Sequence, residues 1–530
     1  MKRALAVLFA VGSVLDAQML PLDARLYGVL ERLGTLGYIP SQLWGLRPWT
    51  LEECRRQVRQ ARQRLASGDG EAADLIEEAE RELARYPDRD GLGLAKVYVR
   101  LGGIGGEPLA DGWHFGQTWI GDRGRPYGEG IQSIAGFAGQ ARWRRWFAYL
   151  EAESQHAPAA PSYGPEVRAL MARLDDMPEA AWYGRSGVTR GRLMQGYAGV
   201  RFGNAAVSIG KQELWWGPTY DMPLAFSTNA EATWNAKFTS LHPFRLPWPL
   251  ARLGPARAEA VIGKLAGHRY TWRPWFNAQK ISFKTTPNLE FGFTRWSIFW
   301  GVGHPITARS FFRNFSSLTS RPAEGYADPN DPGDRKGGFD FRYRIPKLRD
   351  RLALYSDSYA EDDPSPLAAP RRAAVSPGFH LTRIPGLERF DLRMEVVSTA
   401  PLGSGWNLNY YNRQYRSGNT NGGVLLGSWV GRAGRAYQAW SGCSIARGGR
   451  LEFGFRRRQV EGSFLPGGAG DTRGSVRAAL DLRPDLAAEI FFQVEHYFVP
   501  ALGGPRRTAS GWVAIVWRPA ERVAITRAKP

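Results

Sequence analysis

From Gly91 to the end of the chain, apolar and polar residues alternate with a period of two. The clearest unit runs from Lys280 to Thr294, where a Thr-Pro-Asn turn at 286–288 separates two alternating stretches. This pattern predicts β-hairpins with one apolar face, one polar face and very tight turns. The same pattern recurs over 198–209 and 476–494, with turns at Gly203-Asn204 and Pro484-Asp485.

The length of this region separates the candidate β-architectures. Residues 91–530 contain no predicted helix and no repeat of the kind that builds a propeller. Predicted strands of roughly 10 residues alternate with tight turns and with longer loops, such as 155–185 and 316–338. Charged side chains fall in mid-strand on the polar face, where they line a lumen while the apolar face meets lipid. We therefore predict an all-β membrane barrel, a large antiparallel transmembrane β-barrel of the outer membrane, over 91–530.

Composition agrees with a barrel and excludes other classes. Mean hydropathy is −0.37, and beyond the N-terminus no apolar run approaches the roughly 20 residues that a membrane helix needs. Aromatic residues make up 12% of the chain, which fits interfacial belts, as at Trp143, Trp146, Phe147 and Tyr149. Two cysteines exclude a disulfide scaffold and a cysteine-based zinc module.

Residues 1–17 predict export. The basic pair Lys2-Arg3 precedes an apolar stretch over 4–15, and Ala17 supplies a small residue before the cut, as in a secretory signal peptide. The whole chain has a formal charge of +20. Export argues against nucleic acid as the partner of this charge, so we expect it to face lipid phosphate, acidic glycan or a lumen.

Residues 18–90 carry the helical periodicity of the chain. A first helix is expected after Asp23, a second after the capping box of Thr50 and Glu53, and a third over 71–86. We predict that these helices form a small bundle that precedes the barrel.

Six short blocks stand in a fixed order along the chain: Tyr197–Asn204, Gly210–Pro218, Ser227–Ala230, Pro287–Gly292, Gly338–Tyr343 and Leu425–Trp429. By these blocks the chain resembles the capsule assembly Wzi family over nearly all of its mature length. The resemblance implies an outer-membrane barrel of about eighteen strands with a periplasmic helical bundle. It also implies a surface lectin that holds exported capsular polysaccharide on the cell and is not an enzyme.

Aromatic, amide and arginine side chains are the candidates for contact with glycan, because C–H faces of sugars pack on rings and polar groups bond the hydroxyls. Trp215 and Trp216 fit either a sugar-stacking platform or a structural turn. Arg201 and Asn229 fit either glycan ligands or a hydrogen-bonded network that fills the lumen. The other candidates, for contacts at the outer rim or for lining, are Tyr410, Tyr411, Tyr415 and Trp429.

No pattern predicts catalysis, a metal or a cofactor. The acidic segment 328–334 departs from an EF-hand loop because Pro332 takes a position that requires an oxygen ligand. The acids at 361–363 lie beside prolines, as at a loop end, and the 7 histidines show no metal-binding spacing. We therefore expect no catalytic residue, no metal ligand and no cofactor.

The sequence thus predicts an outer-membrane protein, with N-terminal helices in the periplasm, that binds capsular or exopolysaccharide and assists capsule assembly or retention. Weak contacts repeated along a polymer hold it by avidity. The expected partners are surface polysaccharide, outer-membrane lipid and lipopolysaccharide, with no nucleic acid, and the chain is expected to be a monomer. A porin-like channel for anionic or sugar solutes is the alternative, because basic side chains in a lumen favour anions. An enzyme that shortens polysaccharide is the third hypothesis.

Overall fold

The wall of the molecule is a closed barrel of eighteen antiparallel strands in the described part of the chain. The computed structural model describes residues 18–86, 90–160, 162–179, 186–304, 306–316, 332–348, 351–361, 373–400, 409–445 and 449–519. Each strand pairs with the next along the chain, and the last pairs with the first. The predicted fold class and strand number are therefore confirmed.

The barrel strands are numbered in chain order. They are β1 Gly91–Gly105, β2 Gly130–Trp143, β3 Trp146–Ala157, β4 Val188–Phe202, β5 Ala205–Gln212, β6 Thr233–Ser240, β7 Pro255–Lys264, β8 Trp275–Lys284, β9 Leu289–Phe299, β10 Asp334–Arg344, β11 Leu352–Glu361, β12 Ala374–Leu381, β13 Phe390–Ser398, β14 Gly434–Ile445, β15 Gly449–Val460, β16 Ala469–Arg483, β17 Leu486–Phe498 and β18 Arg506–Trp517.

The period-two pattern places side chains as predicted. Lys284 pairs with Glu290 across the turn at 286–288, and the polar residues Lys280, Ser282 and Glu290 are buried toward the lumen. Apolar residues on the outer face stay exposed for contact with lipid, among them Leu101, Ile131, Ile209 and Phe238.

The aromatic belt was predicted correctly for two of its four residues. Trp143 and Trp146 are about half exposed on the outer face. Phe147 and Tyr149 were expected beside them, but they are buried and pack on Tyr197. Phe147 and Tyr149 are the second and fourth residues of β3, so they point away from the outer face that carries Trp146 and into the barrel.

Five α-helices occur in the described residues. They are α1 Leu26–Thr35, α2 Leu51–Arg64, α3 Gly70–Ala84, α4 Pro165–Asp175 and α5 Ala308–Ser316. None of the described helices is long and apolar enough to cross a membrane. The expectation that no helix follows residue 91 is wrong, because α4 and α5 form within long connections between strands.

The starts of the N-terminal helices test the predicted caps. The Thr50 hydroxyl accepts a hydrogen bond of 3.0 Å from the Glu53 backbone N–H, as the capping box requires. Asp23 does not cap α1, which begins at Leu26 with Arg25 in the cap position. The Asp23 carboxylate pairs with Lys96 of β1 instead, so a tertiary ion pair replaces the local cap.

Short turns and long connections fall at opposite ends of the barrel. Two-residue turns lie at 144–145, 203–204 and 484–485, at what we call the short-turn end. The opposite, long-loop end carries the connections 106–129, 158–187, 213–232, 300–333 and 399–433. This asymmetry is typical of outer-membrane barrels, whose short turns face the periplasm.

Residues 18–86, here called the helical segment, dock into the barrel at the short-turn end. Glu31 of α1 accepts two hydrogen bonds of 2.9 Å from Arg393 and one of 3.3 Å from Arg342, both on the inner wall. Glu290 accepts the backbone N–H groups of Trp44 and Gly45 at 2.8 and 2.7 Å. The segment has its own apolar core, and its rim is tied to the wall by ion pairs.

Candidate functional site

Loops from the long-loop end fold into the lumen and build an apolar cluster inside a polar wall. The cluster combines loop residues with inward-facing side chains of the strands, such as Phe276, Trp296 and Tyr359. The loop contributions include Trp113, Leu214, Trp216, Leu224, Phe226, Tyr410, Leu425 and Trp429. We call this cluster the loop plug.

Trp215 and Trp216 join the loop plug to the helical segment. They pair as a short antiparallel ladder with Leu46 and Arg47. Trp216 is fully buried, donates its indole N–H to Glu259 at 2.8 Å and meets Phe226 edge-on at 5.2 Å. The Arg47 guanidinium lies 4.7 Å from the centre of the Trp215 ring. Both tryptophans therefore lie deep in the barrel, away from the long-loop surface.

Asn229 ties three segments of the loop plug together. Its amide N–H₂ donates to the Gln117 side chain at 2.9 Å and to the Leu425 carbonyl at 3.2 Å. Its side-chain oxygen accepts the Gly121 backbone N–H at 3.2 Å. The side chain is 1% exposed, so its hydrogen bonds serve the plug.

The candidates in the 399–433 connection are also buried. Tyr410 donates to the Leu224 carbonyl at 2.8 Å, and Trp429 donates to Asp221 at 3.0 Å. Tyr415 stacks on His304 with ring centres 5.4 Å apart, and Tyr411 donates to the Asp175 carbonyl at 3.1 Å. These four rings lie on the lumen side of the long-loop end and support it.

Arg201 stands apart from the other candidates. It is the penultimate residue of β4, next to the turn at 203–204. This position is at the short-turn end, whereas Asn229 and the four rings belong to connections of the opposite end. The structure therefore brings seven of the eight candidates together and leaves Arg201 at the other end.

Asp175 is a central residue of the site that sequence reasoning missed. It ends α4 and is 3% exposed. Its carboxylate accepts hydrogen bonds from Arg432 at 2.6 Å, from the Trp113 indole at 3.0 Å and from His114 at 3.0 Å. An aspartate in a stretch of ordinary helix carries no local signal, because its partners come from connections far along the chain.

Asp175, Arg432 and His114 form a charged cluster, which we call the node. Asp111 shares its charge, because Asp111 lies 2.7 Å from the other ring nitrogen of His114. Burial disfavours the charged imidazole, but Asp111 and Asp175 outweigh it and raise the pKa of His114 to about 9. Burial also opposes the charged form of Asp175, yet His114 and Arg432 lower the pKa of that carboxyl below its usual value. At neutral pH the node is a buried ion-pair network that fixes α4 on the loop plug.

Above this node lies an open cleft of about 540 Å³ at the long-loop end. One side is formed by α4 and the residues after it, including Met171 and Glu179, and the other by His268–Tyr270 and Trp272. The Trp272 ring is 57% exposed and the Tyr270 ring 41%. We call this feature the loop-face cleft.

His268 gives the loop-face cleft an unused acceptor. It is 2% exposed, and its Nε2 lies 2.9 Å from the Thr420 carbonyl, so Nε2 carries the proton. Burial lowers the pKa of His268 to about 4, which keeps the ring neutral at pH 7. Nδ1 is buried without a hydrogen-bond partner among the described residues. His268 also lines the cleft.

Among the described residues, no group of three or more His, Cys, Asp or Glu side chains is placed to hold a metal ion. Of the acidic segment 328–334, only 332–334 lie within the described residues. The signal peptide predicted over 1–17 lies outside them altogether.

A family model described as capsule assembly protein Wzi matches residues 100–505. The chain belongs to the Wzi capsule assembly family. The resemblance inferred from the six blocks is thereby confirmed. The family is one of outer-membrane assembly proteins, so the protein is an outer-membrane β-barrel and not an enzyme.

Two relatives illustrate how far the likeness extends. A Klebsiella pneumoniae protein described as an uncharacterized 55.8 kDa protein in the cps region is 26% identical over 179 residues, and the aligned part spans 32% of each chain. The solved structure of Escherichia coli Wzi is 15% identical, covers 95% of this chain and 99% of its own, and has a TM-score of 0.69. That protein is described as an outer membrane protein involved in group 1 capsule assembly and as a carbohydrate-binding β-barrel. At this identity the match shows a shared fold.

Proposed function

We propose that this protein binds surface polysaccharide at its long-loop end and so helps to assemble and retain a capsule. The observation that carries the proposal is the loop-face cleft, where two exposed rings stand beside the unused acceptor of His268. The carbohydrate binding described for the Escherichia coli protein of the same fold supports it.

The groups around the cleft suit a sugar polymer. Trp272 and Tyr270 offer ring faces to C–H surfaces, and His268 accepts a hydroxyl. The Arg273 guanidinium lies 5.0 Å from the Trp272 ring and that of Arg416 lies 5.8 Å from the Tyr270 ring. These cations favour a polymer that carries acidic groups. Each contact is weak, and repetition along the chain of sugars supplies retention.

The candidates predicted from sequence take a supporting role in this proposal. All seven candidates of the long-loop end are buried, with at most 8% of the residue exposed. They are Trp215, Trp216, Asn229, Tyr410, Tyr411, Tyr415 and Trp429. We propose that they hold the loop plug rigid beneath the cleft. A rigid base lowers the entropy that the binding surface loses when it contacts the polymer.

Orientation follows from the barrel. We propose that residues 1–17 direct export, that the helical segment lies in the periplasm, and that the long-loop end faces outward. Outer-membrane lipid and lipopolysaccharide then surround the apolar wall, and the chain acts as a monomer.

The function is tested by the split of polysaccharide between cells and medium, with and without the gene. Deletion is expected to leave total polymer unchanged and to move most of it into the medium. An unchanged split would show that retention is not the function of this protein.

The loop-face cleft is tested by the double substitution Trp272→Ala and Tyr270→Ala. Loss of both rings is expected to weaken polymer binding by roughly 2 kcal/mol or more per bound repeat, the scale of an interface hot spot. Binding of purified polysaccharide to whole cells and the cell-to-medium split both report this loss. Trp248→Ala is the matched control, because Trp248 is 76% exposed and precedes β7 at the short-turn end. Equal retention by the double variant and the control would place the glycan contacts elsewhere.

The channel alternative gives an opposite result in a planar bilayer. The helical segment and the loop plug both occupy the lumen, so we expect the purified full-length protein to show no steady conductance. A stable, anion-selective current through the wild-type protein would favour the channel. Insertion of the barrel must first be shown, for example by flotation of the protein with vesicles of the same lipid.

A further inference from the structure

A second cavity lies inside the barrel, between the helical segment and the inward-folded loops. Its volume is about 430 Å³, within the range of roughly 300–1,000 Å³ typical of small-molecule sites. Its walls come from β1–β3 and β14–β18. Trp119–Arg123 and Tyr220–Met222 close it on the side of the long-loop end, and Pro21–Arg25 close it on the side of the helical segment. We call it the luminal chamber.

Aromatic rings make up much of the chamber surface. Tyr220 and Trp440 meet edge-on with ring centres 5.2 Å apart. The Arg100 guanidinium lies 5.5 Å from the Trp119 ring and 5.4 Å from the Trp512 ring, which holds both rings in place. Rings held in this way at a cavity surface are the feature that packs against the C–H faces of sugars.

The charged groups of the chamber largely neutralise one another. Their pairs put guanidinium donors and carboxylate acceptors side by side, which suits hydroxyl groups that donate and accept at once. A bare ion would instead have to compete with these bridges. The pairs are Arg100 with Asp122 at 2.7 Å, Arg456 with Asp221 at 3.1 Å, and Arg477 with Glu489 at 3.0 Å.

Two buried donors in the chamber lining have no partner among the described residues. They are the indole Nε1 of Trp215 and Nε of Arg456. Trp215 is 8% exposed, and a buried N–H group that makes no hydrogen bond destabilises the fold. A hydroxyl-bearing ligand in the chamber would relieve that destabilisation.

The chamber opens toward the short-turn end. Arg477 faces the lumen, yet its side chain is 54% exposed where it pairs with Glu489. Arg25 and Asp481 pair at 2.9 Å near the same rim and remain partly exposed. On the far side, the residues of the loop plug separate the chamber from the loop-face cleft. A ligand must therefore arrive from the end that carries the helical segment.

We propose that the luminal chamber is a second saccharide site, which takes a short uncharged stretch of sugar units from the short-turn end. It is separate from the polymer site of the loop-face cleft and does not depend on it. The ligand class follows from ring faces, paired charges and unsatisfied N–H donors in one enclosed space.

The test is calorimetric titration of the detergent-purified full-length protein with the uncharged oligosaccharides of two to four sugars that mild acid hydrolysis releases from the cells' own polysaccharide. Wild-type protein is expected to bind at two sites. Ser475→Trp fills the chamber from the inner face of β16 without removing any ion pair, and it is expected to abolish one site. Thr472→Trp is the matched control, because it adds the same ring to the outer face of the same strand.

A second variant keeps the test decisive if the added ring hinders assembly. Trp440→Leu removes a chamber ring without adding bulk and is expected to weaken the chamber site at least tenfold. Two sites of wild-type affinity in both chamber variants would overturn the proposal. If the wild type has one site and that site disappears in the double variant Trp272→Ala and Tyr270→Ala, the luminal chamber is not a saccharide site. The polymer site of the loop-face cleft is then retained. A site lost only in the chamber variants would support the chamber and count against the loop-face cleft.

Discussion

Replacing Asp175 with alanine is expected to release α4 from the loop plug. The change leaves Arg432 and His114 buried without the carboxylate that they share, and removal of one partner from a buried ion pair costs roughly 3–5 kcal/mol. The barrel wall makes no use of Asp175, so the loss is expected to be local. Since ~1.4 kcal/mol corresponds to a tenfold change, the hydrogen-exchange rate of the 165–175 backbone should rise by two to three orders of magnitude. The exchange rate of the wall strands should stay constant.

The neighbouring aspartate supplies the control. Asp176 is 73% exposed, and its carboxylate pairs only at the surface with Arg416 at 3.1 Å. Asp176→Asn keeps a side chain that tolerates the left-handed backbone of this helix C-cap, and it is expected to change the free energy of opening by less than about 1 kcal/mol. Similar protection of α4 in the Asp175 and Asp176 variants would contradict the role given to the buried node.

The same node predicts a pH dependence. Because the folded pKa of His114 is raised to about 9 from an ordinary 6.5, its charge stabilises the loop plug fully below about pH 6.5. The stabilisation is lost as pH rises through about 9. Protection of α4 in the wild type should therefore fall between these values and level off above them. Asp175→Asn should lower the midpoint.

Replacing Glu31 with alanine is expected to loosen the docking of the helical segment. Glu31 is 3% exposed and holds both Arg393 and Arg342, so its loss leaves two guanidinium groups without their shared acceptor. We expect a cost of roughly 3–5 kcal/mol. Cleavage by trypsin at the Arg64–Leu65 bond, where α2 ends, should become at least tenfold faster in the detergent-solubilised protein.

Glu80→Ala is the comparison for the helical segment. Glu80 pairs with Arg62 at 2.6 Å, but both side chains are more than 40% exposed, and such pairs contribute about 0–1 kcal/mol. Equal cleavage rates for the two variants would show that Glu31 does not secure the docking. Burial works against the charge of Glu31, but Arg393 and Arg342 hold the pKa of that carboxyl well below its usual range. Its contribution is therefore present at neutral pH and lost only as pH falls well below 4.

The sequence predicts the residue types of the candidate site better than it predicts where those residues lie. Tyr410 and Trp429 were placed at the rim or in the lining, and the structure puts both in the lining. The sequence does not single out Trp272 and Tyr270, because a Tyr-Thr-Trp stretch resembles any interfacial belt. In the sequence His268 is one of seven scattered histidines, and its unused nitrogen becomes apparent only when the Thr420 carbonyl lies beside the other nitrogen.

The sequence by itself determined the wall of this protein. Successive side chains of a strand point to opposite faces, so the alternation at 280–294 dictates which face meets lipid, and local turn residues dictate where each hairpin ends. The tertiary structure alone decided what fills the lumen. Asp175 meets Arg432 across 257 residues of sequence, and Trp216 meets Glu259 of the wall. Loops carry no periodicity, so their inward fold, the loop-face cleft and the luminal chamber follow from packing between segments that are distant in sequence.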